Sequence, residues 1–283
     1  MAAAAPLPRR MRRDDRGTSG RRSGPGPSGP VGGGSAVPGS HTDLVYGRNA
    51  VREVILAGRR QVKHVWVLDG ETGRDLEREV SRWAAHVARA VPPPTHLPAQ
   101  DVTMRAGSPD HQGIVVETDP YPYASTEAAL FGHDLLIALD RIQDPHNLGS
   151  IIRTAEEVGA GVVIPRHRTA IVTAAVVKAS AGATEHATVV QVRNLSDFIT
   201  EAKTAGFWVY GAEAAGSSLY DVADYRGRTL FVVGSEGEGL GERVAAACDL
   251  TVAIPLAGRV GSLNVGVAAA VLLFEAARQR RAR

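Results

Sequence analysis

The sequence is poor in cysteine and in long apolar runs. Its single cysteine, Cys248, excludes an internal disulfide and a cysteine-based zinc cluster. No segment has the roughly 18 uninterrupted apolar residues that a membrane span needs, and the arginine-bearing N-terminus lacks the apolar stretch and cleavage site of a secretory signal. We therefore predict a cytoplasmic protein with no membrane association, in which Cys248 is a small buried residue rather than a nucleophile.

Excess charge is also scarce outside the N-terminus. The formal net charge is +2, but the first 40 residues carry seven arginines and two aspartates, so this part is +5 and the remainder −3. The other residues there are mainly Gly, Pro, Ser and Ala, which predicts a disordered tail over residues 1–41. An arginine-rich arm of this kind fits loose binding to nucleic-acid phosphates. The alternatives are a solvated extension, or translation that starts at Met11.

The region that follows the tail alternates between helical and strand patterns. The stretch "NAVREVILAG" predicts a helix that ends at Gly58, and "VKHVWVL" and "HQGIVVE" predict strands. The longer segment "TGRDLEREVSRWAAHVARA" predicts a helix in which Thr72 and Asp75 form a capping box. We assign residues 42–117 to a small α/β domain, and the Pro- and Tyr-containing residues 118–133 to a linker.

From residue 134 onward, apolar runs alternate regularly with helical stretches. The runs are "LLIALD", "GVVIP", "ATVVQV", "FWVYGAE", "TLFVVGSE" and "LTVAIP". Continuous apolar strands between helices predict an α/β domain over residues 134–283, with a mainly parallel sheet that is covered on both faces. Ligands of such sheets bind beyond the carboxyl ends of the strands. This rule selects three turns, at residues 143–153, 234–241 and 254–264.

The second of these turns, "GSEGEGLGE", has four glycines within eight residues. Glycine lets a backbone approach a ligand closely, as in phosphate-binding loops. However, Glu236, Glu238 and Glu242 would repel phosphate, and the Gly-Lys-Ser/Thr ending of a P-loop is missing. A ligand with positive charge fits this turn better, and a flexible turn with solvated glutamates is the alternative.

The first and third turns each place polar residues at the start of a helix. Asn147 and Asn264 both stand where an N-cap is expected, which is a structural explanation for each. Arg153 projects about 140° around its helix from the apolar Leu148, so it faces either solvent or a site. Ser262 has no such structural explanation. His146 is interpreted as a loop residue, because one histidine does not make a metal site, and we expect no metal.

These three turns resemble the motifs of a known family. "NLGSIIRTA", "VVGSEGEGL" and "IPLAGRVGSLNVGVAAAVLLFEA" are similar, in this order, to the three motifs of the SpoU branch of the SPOUT RNA methyltransferases. The resemblance covers about residues 43 to 280, and the small domain resembles the RNA-binding domain of that family. It implies a trefoil-knotted methyltransferase domain, S-adenosylmethionine as cofactor, and a homodimer that takes Arg153 from one subunit and the cofactor from the other.

The resemblance also implies roles for individual residues. Arg153 would activate a ribose 2′-hydroxyl, with Asn147, Glu236, Ser262 and Asn264 completing the catalytic set. Main-chain groups around three further residues would read the cofactor; these are Gly234, Ile254 and Leu263.

Within the family, the likeness is nearest to enzymes that methylate a guanosine in the peptidyl-transferase region of 23S rRNA. A tRNA 2′-O-methyltransferase remains an alternative, as do an antibiotic-resistance methylase and a noncatalytic RNA-binding or ribosome-assembly factor. RNA rather than DNA is the expected partner.

Overall fold

The computed structural model describes residues 42–235, 237–258 and 261–281. The predicted disorder of residues 1–41 and the predicted role of Glu236 lie outside these ranges. No helix within them combines the length and the apolar composition of a membrane span.

The first part of the described chain forms a four-stranded sheet with the strand order β1-β4-β2-β3. The strands are β1 (Asp43–Tyr46), β2 (Val62–Leu68), β3 (Thr95–Leu97) and β4 (Ile114–Thr118). Strand β4 pairs antiparallel with both β1 and β2, and β2 pairs parallel with β3. The helices of this part are α1 (Arg48–Ala57), α2 (Glu71–His86) and α3 (Ala99–Ala106). As predicted, Gly58 stops α1; it is the C-cap of the helix and has a φ of 59°.

The start of α2 differs from the prediction. The helix begins at Glu71, and its N-cap is Gly70, which has a φ of 89° and provides no side-chain cap. Thr72 therefore lies inside the first turn rather than before it, and the predicted capping box of Thr72 and Asp75 is wrong. Leu76 and Val80 of this helix are both buried.

The segment predicted to be a linker, residues 118–133, contains helix α4 (Thr126–Gly132). The Ser125 side chain caps this helix by accepting a hydrogen bond from the Ala128 N–H. Ala129 and Leu130 of α4 are buried, and Ala124 forms a bridge with Val190 of the second sheet. The segment is therefore packed, and the division into domains at residues 117 and 134 stays a prediction.

The second sheet of the described chain has the strand order β7-β6-β5-β10-β8-β11-β9. All its pairings are parallel, which confirms the prediction. Its strands are β5 (Leu135–Asp140), β6 (Gly161–Pro165), β7 (Val189–Val192), β8 (Trp208–Ala212), β9 (Ser218–Leu219), β10 (Thr229–Gly234) and β11 (Leu250–Ala253). The helices are α5 (Pro145–Glu157), α6 (Ala174–Ala179), α7 (Leu195–Thr204), α8 (Glu242–Ala247) and α9 (Val265–Arg281).

Helices cover both faces of this sheet, which explains the uninterrupted apolar strands. Every residue of β5 is buried. Leu135, Ile137 and Leu139 join the core beneath α5 and α9. Leu136 and Ala138 join the opposite core, to which α4, α7 and α8 contribute.

A buried polar contact joins the loop after α1 to the turn before β7. The Arg60 and Glu185 side chains are 1% and 0% exposed, and Arg60 Nε donates to Glu185 Oε2 over 3.1 Å. Arg60 also donates to Thr118 Oγ1 over 3.3 Å. Nearby, the Tyr121 hydroxyl donates to the Thr184 carbonyl over 2.8 Å. The first sheet is thus fixed to the elements around the second.

Candidate active site

The turn between β5 and α5 begins the candidate site. Asp144 is the N-cap of α5, because its carboxylate accepts a hydrogen bond from the His146 N–H over 3.0 Å. Pro145, which has no N–H to leave unpaired, occupies the first helical position. The prediction that Asn147 is the N-cap is therefore wrong. Asn147 lies in the first turn of the helix, where its side chain is not needed for capping.

Asn147 instead contacts the third turn. The Asn264 Nδ2 donates to Asn147 Oδ1 over 2.8 Å. The Oδ1 of Asn264 accepts from the N–H groups of Gly266 and Val267, over 2.9 and 3.3 Å. Asn264 thus caps α9, as predicted, and also binds Asn147 across 117 residues of sequence. These two backbone donors fix which side of the Asn264 amide faces Asn147.

Helices α5 and α9 approach closely next to this pair. A Cβ atom on Gly266 would lie 2.7 Å from Ser150 Oγ and 3.1 Å from Asn264 Oδ1. A side chain at this position would push Asn264 away from Asn147 or separate the two helices. Gly266 is therefore required for the contact between the first and third turns.

Arg153 lies on the exposed surface of α5. The apolar Leu148, Ile151 and Ile152 of the same helix are fully buried. The Arg153 guanidinium makes no hydrogen bond or ion pair with any residue that the structure describes, whereas its backbone is held by a packed helix. Arg153 is thus a cation on a fixed helix that pairs with no residue in the described ranges.

The glycine turn folds back onto the end of β10. A Cβ atom on Gly234 would lie 2.1 Å from the Gly239 carbonyl oxygen and 2.6 Å from the Leu240 nitrogen. The Gly239 N–H donates to the Ser235 carbonyl over 3.0 Å. Gly237 and Gly239 have φ values of 87° and 65°, which favour glycine. Backbone packing therefore requires several of these glycines.

The structure adds two residues that the sequence analysis missed, Asp140 and Arg141. Asp140 ends β5, is buried, and accepts a hydrogen bond from the Gly241 N–H over 2.7 Å. The Arg141 guanidinium pairs with Glu238 at 2.6 Å and donates to the Gly239 carbonyl over 3.2 Å. Glu238 is thus bound to a cation rather than left to repel anions. The sequence signal for this contact was the pair of charged residues, Asp140 and Arg141, at the end of the apolar strand β5.

A cleft of about 440 Å³ opens where these turns meet. Its lining includes Arg141, Asp144, Asn147, Arg168, Ser235 and Glu238. The volume lies within the range of small-molecule and cofactor sites. A larger cleft of about 1140 Å³ lies along α2 and includes Arg48 and Glu79. We place the candidate site in the smaller cleft because it gathers residues of the first and second turns at the carboxyl ends of the strands.

The remaining predicted residues lie along the same edge of the sheet. Ser262 is exposed and Leu263 half-buried in the segment that leads into α9. Ile254 is half-buried directly after β11, which is separated from β10 by β8. No hydrogen bond in the described part of the chain joins Ser262 or Ile254 to the pair of Asn147 and Asn264. The structure therefore brings Asn147, Asn264 and the glycine turn together at the cleft, whereas it shows no such contact for Ser262 and Ile254 within the described ranges.

Cys248 behaves as a packed apolar residue. Its thiol donates to the Val244 carbonyl over 3.3 Å, and burial raises its pKa to about 11. A thiol with this pKa is almost fully protonated near neutral pH, which argues against a role as a nucleophile. Within the described ranges, no cluster of three or more His, Cys, Asp or Glu side chains could hold a metal ion.

Two protein families match consecutive parts of the chain. Residues 44–124 match the family described as RNA 2′-O ribose methyltransferase substrate binding. Residues 134–274 match the SpoU rRNA Methylase family. The second match contains Asn147, Arg153 and Asn264.

Similar proteins cover most of the chain. A tRNA/rRNA methyltransferase of Synechocystis, itself uncharacterized, is 39% identical over 248 residues, which are 84% of this chain and 63% of that protein. The chain therefore spans less than two thirds of that relative. A Staphylococcus aureus protein assigned to the TrmH family of tRNA/rRNA methyltransferases is 36% identical over 244 residues, which are 84% of this chain and 96% of that protein.

Solved structures agree with this similarity. The SpoU methyltransferase AviRb from Streptomyces viridochromogenes, in complex with AdoMet, has a TM-score of 0.70 and 26% identity, covering 86% of this chain and 92% of that one. An rRNA methyltransferase from Sinorhizobium meliloti has a TM-score of 0.68 and 26% identity, covering 84% and 88%.

Proposed function

The chain belongs to the SpoU family of RNA 2′-O-ribose methyltransferases, and we propose that it methylates a guanosine in the peptidyl-transferase region of 23S rRNA. The main structural support for this proposal is the hydrogen bond between Asn147 and Asn264, which joins the first and third motifs beside the cleft. Family membership supports the reaction, and the choice of 23S rRNA rests on the resemblance of the motifs. A cytoplasmic location remains part of this proposal.

S-adenosylmethionine is the cofactor of this family. The chain fits it, because the cleft has a suitable volume and the turn at Gly234 presents close-packed backbone rather than a phosphate-binding lysine. Gly234, Ile254 and Leu263 would hold the cofactor through their main-chain groups. When bound, the cofactor supplies an electrophilic methyl group, so the protein has to align and activate a ribose hydroxyl.

Arg153 is the proposed activating residue. A guanidinium is almost always protonated, so it is a poor general base. Instead, Arg153 stabilises the negative charge that develops on the 2′-oxygen and orients that hydroxyl and the neighbouring phosphate, which shares in the deprotonation. Its lack of a partner among the described residues suits a group that engages substrate.

The other catalytic residues are proposed to hold this geometry. Asn147 and Asn264 fix the relation of the two helices, and Ser262 positions the ribose. Glu236 is proposed to pair with Arg153, although it lies outside the described residues.

A homodimer is part of the proposal, with the trefoil knot of the family. Val267 and Phe274 are both 50% exposed, and their spacing of seven residues puts them on one face of α9. Exposed apolar faces of this kind are typical of protein interfaces. Because α9 packs on α5, a second copy bound to this face would lie near Arg153, as a site shared between subunits requires.

The experiment is transfer of labelled methyl from S-adenosylmethionine to unmodified 23S rRNA, 16S rRNA and bulk tRNA, with mapping of ribose methylation by nucleotide. One labelled guanosine in the peptidyl-transferase region is the expected result. Label in tRNA alone would move the substrate to tRNA. Binding of cofactor with no transfer to any RNA would contradict the enzymatic proposal and favour a noncatalytic RNA-binding role.

Arg153→Ala tests the mechanism in the same assay. We expect turnover to be lost while cofactor affinity stays within a few fold, because the residue acts on the hydroxyl rather than on the cofactor. Arg153→Lys, which keeps the charge but loses the planar fork, is the matched variant and should recover only part of the activity. Normal turnover by Arg153→Ala would remove this residue from the mechanism.

A further inference from the structure

Three arginines leave the second sheet at its carboxyl edge. Arg193 follows β7, and Arg166 and Arg168 follow β6. All three are exposed. Within the described ranges, none of their guanidinium groups makes a hydrogen bond or an ion pair. Cations that pair with no described residue can bind an anionic ligand, and one of the three, Arg168, lines the cleft.

The sheet register places two of these residues side by side. Pro165 of β6 pairs with Val192 of β7, so the next residues, Arg166 and Arg193, leave the sheet at the same level. The Arg166 N–H donates to the Val192 carbonyl over 2.8 Å, which fixes this arrangement. Adjacent strands are about 4.8 Å apart, so the backbones of the two arginines are close neighbours.

Arg168 continues this row into the cleft, where it is a lining residue together with Asn147 and Ser235. Its φ is 59°, a conformation that is costly for a residue with a side chain. Two bonds hold the loop there: Thr169 Oγ1 and the Ala170 N–H both donate to the Ile142 carbonyl over 2.7 Å. The surrounding structure thus maintains a strained backbone that presents Arg168 at the site.

The other charged side chains that the structure describes in the cleft lining already have partners. Glu238 is paired with Arg141, which also lies close to Asp140. Asp144 is the N-cap of α5. Of the two described arginines that line the cleft, Arg141 is therefore paired, whereas the Arg168 side chain makes no hydrogen bond or ion pair with a described residue. Beyond it, the chain continues into α6, which packs against β1 of the first sheet.

Resting on the proposed function, we infer that Arg168, Arg166 and Arg193 form a track for the phosphates of the RNA strand that enters the cleft. Arg168 binds the phosphate nearest to the target ribose, and Arg166 and Arg193 bind phosphates farther along the strand. The ligand class is the RNA backbone, which a guanidinium binds through paired N–H donors without reading sequence. This track separates RNA positioning from the hydroxyl activation assigned to Arg153.

The test compares Arg168→Ala with Arg281→Ala, using single-stranded poly(U) as the probe and fluorescence anisotropy over a range of salt concentrations. Arg281 is exposed at the end of α9. The neighbouring Arg280 donates to the Asp134 carbonyl directly before β5, so the control makes the same charge change at the opposite edge of the sheet. The salt slope, which is the steepness with which the logarithm of the binding constant falls with the logarithm of salt concentration, should decrease by about 0.7 when one phosphate contact is lost. Binding should weaken about fivefold near 0.1 M salt. The triple variant at residues 166, 168 and 193 should weaken it about a hundredfold.

Arg168→Gly distinguishes phosphate binding from a structural role. Glycine accepts the positive φ, so this variant should have an equal or higher Tm while it binds RNA as poorly as Arg168→Ala. Arg168→Lys should retain most of the affinity, because it keeps the charge. RNA affinity of wild-type strength in Arg168→Gly, or an equal loss in Arg281→Ala, would overturn the inference.

Methyl transfer separates this inference from the proposed function. If the wild type methylates RNA, Arg168→Ala should raise KM for RNA more than it lowers kcat, at unchanged cofactor affinity. If the wild type methylates no RNA but Arg168→Ala still lowers the affinity for poly(U) and its dependence on salt, the proposed function is wrong and the inferred phosphate track is supported. If methylation is normal and the variants bind poly(U) like the wild type, the track fails alone.

Discussion

Asn264 has two structural roles that substitutions can separate. Its Oδ1 caps α9 through two backbone N–H groups, and its Nδ2 donates to Asn147. Serine is an equally good N-cap but is too short to reach Asn147. Asn264→Ser should therefore leave the free energy of unfolding within about 0.5 kcal/mol of the wild type, whereas Asn264→Ala should cost about 1 kcal/mol.

In a methyl-transfer assay, the activity of Asn264→Ser should not follow its stability. Loss of the contact with Asn147 lets α5 shift relative to α9, and displacements of about 1 Å reduce rates by about a hundredfold in well-aligned sites. We expect Asn264→Ser to lower kcat by about 10- to 100-fold, despite its stable fold. Urea unfolding and single-turnover transfer measure the two quantities on the same preparations.

A double-mutant cycle with Asn147→Ala completes this test. If the hydrogen bond is the functional unit, Asn147→Ala alone should lower kcat to a similar extent, and the double variant should be no worse than either single one. A wild-type kcat in Asn264→Ser would refute the reasoning and leave Asn264 as a helix cap only. Fully additive losses would show that the two side chains act independently.

Two further predictions concern stability and reactivity. Arg60→Met leaves the buried Glu185 carboxylate unpaired, so unfolding should become easier by about 3 to 5 kcal/mol, and Tm should fall by about 10 °C. The double variant Arg60→Met with Glu185→Leu should recover most of this loss, and a single-variant cost below about 1 kcal/mol would contradict the role of the pair. Because burial raises the Cys248 pKa to about 11, its thiolate fraction at pH 8 is about a hundredfold below that of an ordinary thiol. Iodoacetamide labelling should be slower by that factor and accelerate tenfold per pH unit up to about pH 10; labelling at the rate of a free cysteine would contradict this.

Local patterns were sufficient for most of the helices and strands. The runs of apolar residues from Leu135, Gly161 and Thr229 all form strands of a parallel sheet, as predicted, because a strand buried on both faces has no polar positions to alternate. The errors fall at helix starts. Asn147 and Thr72 were both assigned to caps, but Asp144 and Gly70 occupy those positions, since several residues near a helix start can satisfy the same local preference.

The candidate site was predictable in part. Arg153, Asn147 and Asn264 were selected from the motifs and from their positions at the carboxyl ends of strands. Arg141 and Arg168 were missed because nothing local distinguishes them from solvated arginines. Only the tertiary structure shows the contact of Arg141 with Glu238 and the place of Arg168 in the cleft lining.

The sequence by itself determined the family, the parallel sheet and the three turns at its edge, because each depends on short-range patterns of apolar residues, glycine and capping groups. The tertiary structure alone decided that Asn264 binds Asn147, that β10 lies between β5 and β8, and that Arg60 is buried against Glu185. The two side-chain contacts join residues 117 and 125 positions apart, and local preference contains no information about which distant groups or which strands will meet.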